Sequence, residues 1–205
     1  MAELILNKDF GLTAAASVMA AIGLGQNDLA QMIGGMIISP LANPIMRSIM
    51  EGDILLNAIK LLILVLTCVV IGMMYFTMYN KNVFEPTERM LSIADTEGRG
   101  YLGDIVYGLV AGMVVYASYG ANDPNDINIL AGLAVGVTIL PAFVNAGIMF
   151  GAGLSGYRDR DLTNLSYYGL TSSLVGIIYL VFIVIGFWIA KYTNQYYLKH
   201  FVDKD

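Results

Sequence analysis

Long stretches without a charged side chain dominate the sequence. Six of them, each of 18 residues or more, lie at residues 10–27, 29–46, 61–80, 105–122, 127–157 and 162–190. A helix that crosses a bilayer needs about 20 predominantly apolar residues. The pattern therefore predicts an all-α polytopic membrane protein with about six transmembrane helices, forming a single membrane domain over residues 1–205.

Prolines interrupt two of these uncharged runs. The second run contains Pro40 and Pro44, and the fifth contains Pro141. A proline inside a helix has no N–H to donate to the carbonyl four residues earlier, and its ring clashes with that carbonyl. We therefore expect the second and fifth spans to be broken helices, with freed carbonyl groups at Met36, Pro40 and Val137.

The two interrupted runs also resemble each other in sequence. Residues 29–40 and 130–141, which are 101 positions apart, share Leu, Ala, Gly, Ile and Pro at five of twelve aligned positions. Because a unit of three helices enters and leaves on opposite sides of a membrane, a second copy would be inverted. We expect two inverted three-helix repeats, at about residues 10–80 and 105–190, with proline-broken second helices. Such repeats are typical of transporters that bind their substrate near the middle of the membrane.

The segment between the repeats, residues 81–104, is the most polar part of the chain between spans. Pro86 suits the first turn of a short helix, and Phe84 and Met90 are among its few apolar residues. This composition predicts a helix that lies at the membrane surface rather than a free loop. A short C-terminal tail, residues 191–205, follows the second repeat.

Composition and charge exclude several classes of protein. Hydrophobic residues make up 57% of the chain and charged residues 13%, and the net charge of −5 leaves no basic surface for nucleic acid. The chain contains one Cys and one His, so it can form neither an internal disulfide nor a Cys/His metal cluster. We expect no cofactor. We also expect no enzymatic activity, because no pair of acid–base groups falls within the spans.

Charge does not decide the orientation in the membrane. With six spans, six Lys and Arg residues lie on one side and five on the other, whereas the positive-inside rule needs a clear excess on one side. We place both termini in the cytoplasm as a working expectation.

Neutral polar residues beside the prolines are the candidate functional residues. They are Ser39, Pro40 and Asn43 in the second run, and Thr138, Pro141 and Asn145 in the fifth. If the two breaks face each other, carbonyls, hydroxyls and amides would form a site for a small ion or neutral solute. Half-helix N-termini pointing inward would favour an anion equally well. The prediction is a transporter or channel, in a homo-oligomer because six helices enclose little polar space.

Simpler interpretations stay open for each of these features. The breaks can equally be structural kinks in a non-transporting assembly or accessory protein that acts through a protein partner. The expected absence of any buried carboxylate supports this alternative. Arg47 and Lys60 either flank the pathway or, as we favour, extend to the membrane surface. Asp28 and Asp104 are interpreted as helix caps. Glycines spaced four apart predict close helix contacts within the chain, at Gly108/Gly112, Gly132/Gly136 and Gly147/Gly151.

One motif resembles a known family. Residues 35–45, Gly-Met-Ile-Ile-Ser-Pro-Leu-Ala-Asn-Pro-Ile, resemble the signature of the uncharacterised hydrophobic domain family of prokaryotic membrane proteins, a domain-of-unknown-function family. Weaker resemblances at residues 51–53, 88–91, 101–104 and 137–142 extend it over about residues 12–190. Asn43 and Ala142 depart from the family pattern, which usually has Gly and often a second Pro there. The resemblance implies the architecture and a prokaryotic or phage-encoded protein of the inner or plasma membrane, but no activity.

Overall fold

Helices account for almost all of the described chain. The computed structural model describes residues 2–51, 53–78, 84–94, 101–119, 124–155 and 165–197; within them, the side chains at 2–7, 46, 49–51, 118–138 and 196–197 lie outside the description. The described residues form eight helices and no strand: α1 (Ala2–Gly25), α2 (Leu29–Ile38), α3 (Ala42–Glu51), α4 (Ile54–Met78), α5 (Glu88–Ala94), α6 (Leu102–Tyr119), α7 (Pro124–Leu154) and α8 (Leu165–Tyr197). The predicted all-α class is confirmed for this part of the chain.

Two of the described helices are long and apolar enough to cross a membrane, judged by length and composition. They are α4, with a mean hydropathy of 2.8, and the Leu165–Gln195 part of α8, with a mean hydropathy of 2.6. Shorter apolar helices are Leu29–Ile38, Leu102–Ala117 and Ile139–Leu154. Six spans and two inverted repeats therefore stay predictions.

A tight turn connects α1 to α2. Asn27 has a left-handed backbone conformation with φ of 56°, which asparagine adopts more readily than most residues. Asp28 then caps α2, because its Oδ1 accepts hydrogen bonds from the backbone N–H groups of Ala30 (2.8 Å) and Gln31 (3.4 Å). The predicted cap at Asp28 is confirmed, and α2 folds back against α1.

The second predicted span is broken, as expected, between α2 and α3. Ser39 has the extended conformation (φ −73°, ψ 122°) that a following proline imposes, and Pro44 lies in the first turn of α3, where a missing N–H does no harm. However, the N–H of Ser39 donates to Met36 O (3.3 Å) and that of Asn43 to Pro40 O (3.0 Å). The expectation that the prolines leave these two carbonyls without a hydrogen-bond partner is therefore wrong.

The predicted break at Pro141 is wrong. Helix α7 continues from Pro124 to Leu154 with Pro141 inside it. A single proline removes one backbone hydrogen bond, whereas Pro40 and Pro44 act together on adjacent turns. Packing also favours continuation of α7 through the proline, because residues 139–149 are all buried and the helix contacts α2, α4 and α8. Only the first of the two predicted broken helices is broken.

Glycines allow two pairs of long helices to approach closely. At the crossing of α4 and α7, a Cβ on Gly72 would meet Val144 O and would lie 3.0 Å from Gly147 Cα. At the crossing of α6 and α8, a Cβ on Gly112 would meet the Ile183 carbonyl. The predicted contacts within the chain are confirmed at Gly108/Gly112 and Gly147/Gly151, whereas Gly132 and Gly136 lie outside the described side-chain region.

Candidate functional site

The break between α2 and α3 places a polar side chain in the apolar interior. Ser39 is only 3% exposed, and its Oγ has no hydrogen-bond partner among the described residues. Pro40 is buried beside it, and Asn43 is half-buried at the start of α3. A buried hydroxyl without a partner is a rare feature, because its desolvation costs about 1–3 kcal/mol.

Asn145 of α7 is the centre of a buried polar cluster. Its Nδ2 donates to the Met90 carbonyl of α5 and to Ser172 Oγ of α8, both at 2.9 Å. Because a carbonyl only accepts, the contact with Met90 fixes which side of the amide carries the nitrogen. The other side, Oδ1, has no partner among the described residues. Asn145 therefore offers one unused acceptor.

The structure brings the end of α2 and the proline of α7 together, but not all six predicted residues. Met36 and Pro141 line one cavity of about 250 Å³ between α2, α5, α7 and α8. Ser39, Asn43 and Asn145 do not line it. Thr138 lies in α7, but its side chain is outside the described residues.

The two cations predicted near the pathway are half-buried. Arg47 lies in α3, and Lys60 lies in the second turn of α4. Neither lines the groove of about 450 Å³ between α3, α4 and the Leu180, Val184 and Trp188 side chains of α8. Their extension to a membrane surface stays a prediction.

Sequence reasoning missed the role of α5 in this region. It predicted a short helix at a surface, but α5 buries Met90 completely. Thr87 Oγ1 donates to Leu24 O (2.8 Å) and Arg89 Nε donates to Asn27 O (3.2 Å), so α5 also holds the turn between α1 and α2. The apolar residues Phe84 and Met90 were the available signal that this helix is buried. The hydrogen bond from another helix to the Met90 carbonyl involves a backbone group and therefore leaves no pattern in the sequence.

A buried carboxylate also lies near the cavity. Asp104, interpreted from the sequence as a helix cap, is the third residue of α6 and is 2% exposed. Its Oδ1 accepts a hydrogen bond of 2.6 Å from Tyr179 OH, and Tyr179 lines the cavity. The expectation of no buried carboxylate is therefore wrong. The argument that favoured an accessory protein depended on this expectation and no longer holds. The available signal for a buried carboxylate was an acidic residue directly before an uncharged run of the sequence.

These features define an all-α protein with at least two helices of membrane-spanning length, one proline-broken helix, and buried polar groups at the break (Ser39), on α7 (Asn145) and on α6 (Asp104). The family model described as "Domain of unknown function (DUF389)" matches residues 36–185, and the chain belongs to that family. The resemblance to an uncharacterised family at residues 35–45 is thereby confirmed. No curated protein and no solved structure matches the chain.

Proposed function

We propose that the chain is an integral membrane protein that lets a small ion or solute pass at the break between α2 and α3. The observation that carries the proposal is the buried Ser39 hydroxyl, which has no partner among the described residues. The proposal includes six spans, two inverted repeats and a homo-oligomer. It does not require a break in α7.

Exposed apolar side chains support the placement in a membrane. On α4 and α8, large hydrophobic side chains are exposed along the whole helix, including Leu55, Leu62, Leu66, Val70, Met74, Leu170, Leu174, Ile177, Val181 and Ile185. Water-soluble monomers rarely expose contiguous apolar patches of more than a few hundred Å². In a lipid bilayer, the exposure of these apolar faces carries no free-energy penalty.

Unused buried oxygens at the break and on α7 support a pathway through the helix bundle. Ser39 Oγ and Asn145 Oδ1 are both buried, and neither has a partner among the described residues. A membrane protein cannot hydrate such atoms from the hydrocarbon. Their retention is explained if a solute, an ion or a water molecule binds them during passage.

The orientation of the Asn145 amide favours one class of solute. Its nitrogen already donates to Met90 O and Ser172 Oγ, so only Oδ1 is available. An amide oxygen and a hydroxyl oxygen bind a weakly hydrated monovalent cation or the donor groups of a neutral solute. An anion finds no donor at Asn145.

The proposal is tested by flux through liposomes that contain the purified full chain. We expect passage of K⁺, Na⁺, urea or glycerol above the rate of protein-free liposomes. Ser39→Ala should lower that rate about five-fold, because one hydrogen bond is worth about 1 kcal/mol. Its thermal stability should stay equal or rise, because the variant no longer buries an unpartnered hydroxyl.

Ser17→Ala is the matched control. Ser17 is also fully buried, but its hydroxyl donates to Thr13 O at 2.7 Å within α1. This variant should retain the wild-type rate. The absence of flux for all four probes, or equal rates for wild type and Ser39→Ala, would contradict the proposal.

A further inference from the structure

The cavity beside α5 has one charged end and a largely apolar wall. It measures about 250 Å³, and its polar lining consists of Arg89, Ser92 and Tyr179. The rest of the lining is apolar: Leu29, Met32, Met36, Ile93, Pro141, Ala142 and Val175. A pocket of this kind suits a ligand with a polar head and an apolar tail.

Arg89 is the group that can bind a charged head. Its Nε donates to Asn27 O at 3.2 Å, but its two terminal nitrogens make no hydrogen bond or ion pair with the described part of the chain. The other polar groups are already engaged, since Ser92 Oγ donates to Arg89 O (2.9 Å) and Tyr179 OH donates to Asp104 (2.6 Å). A half-buried guanidinium with unused N–H groups is suited to bidentate binding of a phosphate.

The outer face of α2 continues the apolar wall away from Arg89. Leu29, Ile33 and Ile37 are all exposed and follow each other at intervals of four residues, so they form one row on the helix surface. Leu29 also lines the cavity. The row therefore starts beside the charged end and runs toward the break between α2 and α3.

We propose that this cavity binds an anionic phospholipid, with its phosphate on Arg89 and one acyl chain along the row of Leu29, Ile33 and Ile37. A free phosphate ion would need several donors, whereas Arg89 alone supplies them here and most of the wall is apolar. The single charge of a phosphodiester matches the single cation. This site rests on the proposed membrane placement but not on the proposed passage of a solute.

Native mass spectrometry of the delipidated full chain tests the site, with phosphatidylglycerol and phosphatidylcholine of identical acyl chains as probes. We expect wild type to retain phosphatidylglycerol, and Arg89→Gln to weaken its binding roughly ten-fold, as loss of a charge-assisted hydrogen bond does. Ser92→Phe, at an exposed position that leaves Arg89 in place, should obstruct the cavity and weaken binding similarly. Arg89→Lys should restore part of the affinity.

Lys191→Gln is the control for non-specific charge, because Lys191 is a half-buried cation that lies over the ring of Trp188 near the end of α8, away from the cavity. It should bind phosphatidylglycerol as wild type does. Equal retention by wild type and Arg89→Gln, equal binding of both lipids, or displacement of the lipid by millimolar inorganic phosphate would each overturn the proposal. A chain that conducts solute but retains no lipid would refute this site alone; a chain that retains the lipid without flux would refute only the proposed passage.

Discussion

Gly147→Ala is expected to destabilise the chain by about 3 kcal/mol or more, although it adds a single methyl group. A Cβ at this position would meet the Val69 carbonyl of α4 and would lie 3.0 Å from Gly72 Cα. Both contacts are with backbone, so no side-chain rotation can relieve them and the two helices must move apart. Thermal unfolding of the purified chain, followed by circular dichroism, measures the change.

Gly11→Ala is the matched control for that substitution. Gly11 is exposed within α1, and a Cβ there would have no atom within 4 Å. Because alanine restricts the unfolded chain more than glycine does, this variant should be more stable by about 0.5–1 kcal/mol. The same chemical change is thus expected to have opposite signs at the two positions. Equal effects would contradict the close crossing of α4 and α7.

Asn145→Leu is expected to release α5 from the bundle. The substitution keeps the side-chain volume roughly constant but removes both N–H donors, which leaves the Met90 carbonyl and Ser172 Oγ buried without this partner. Each buried group left unpaired costs about 1–3 kcal/mol. Hydrogen exchange measured by mass spectrometry should become faster over residues 88–94.

Ser172→Ala serves as the comparison for Asn145→Leu. It removes one of the two acceptors and leaves the hydrogen bond to Met90 O in place. We expect a smaller loss of stability, below about 1.5 kcal/mol, and unchanged exchange at α5. If hydrogen exchange over α5 is as slow in Asn145→Leu as in wild type, the hydrogen bond to Met90 does not hold this helix in place.

The local signals in the sequence predicted the helical part of the fold well. The break at Ser39-Pro40, the cap at Asp28 and the close glycine contacts all depend on neighbouring residues or on a fixed helical spacing. Such features can be derived from one sequence because their geometry repeats from protein to protein. The segment that contains the break at Ser39-Pro40 also identified the family.

Tertiary packing decided the features that the sequence predicted wrongly. Pro141 lacks an N–H group as Pro40 does, but no second proline follows it in the helix, and the helix around it is buried against three neighbours and continues. Asp104 was interpreted as a helix cap, but Tyr179, 75 residues later, donates a hydrogen bond to it inside the bundle. The hydrogen bond to the Met90 carbonyl involves the backbone, so the residue type at this position does not indicate it. Contacts between distant segments are therefore the part of the candidate site that sequence reasoning could not supply.

The position of α5 has a consequence for how the chain holds together. This short helix and the residue before it are hydrogen-bonded to earlier and to later parts of the chain. Thr87 donates to Leu24 O of α1 and Arg89 to Asn27 O, whereas Asn145 of α7 donates to Met90 O. Helix α5 therefore joins these parts by direct contacts and does not serve only as a connecting segment. A chain cut after α5 should therefore remain one assembled particle, with the cut visible only after denaturation.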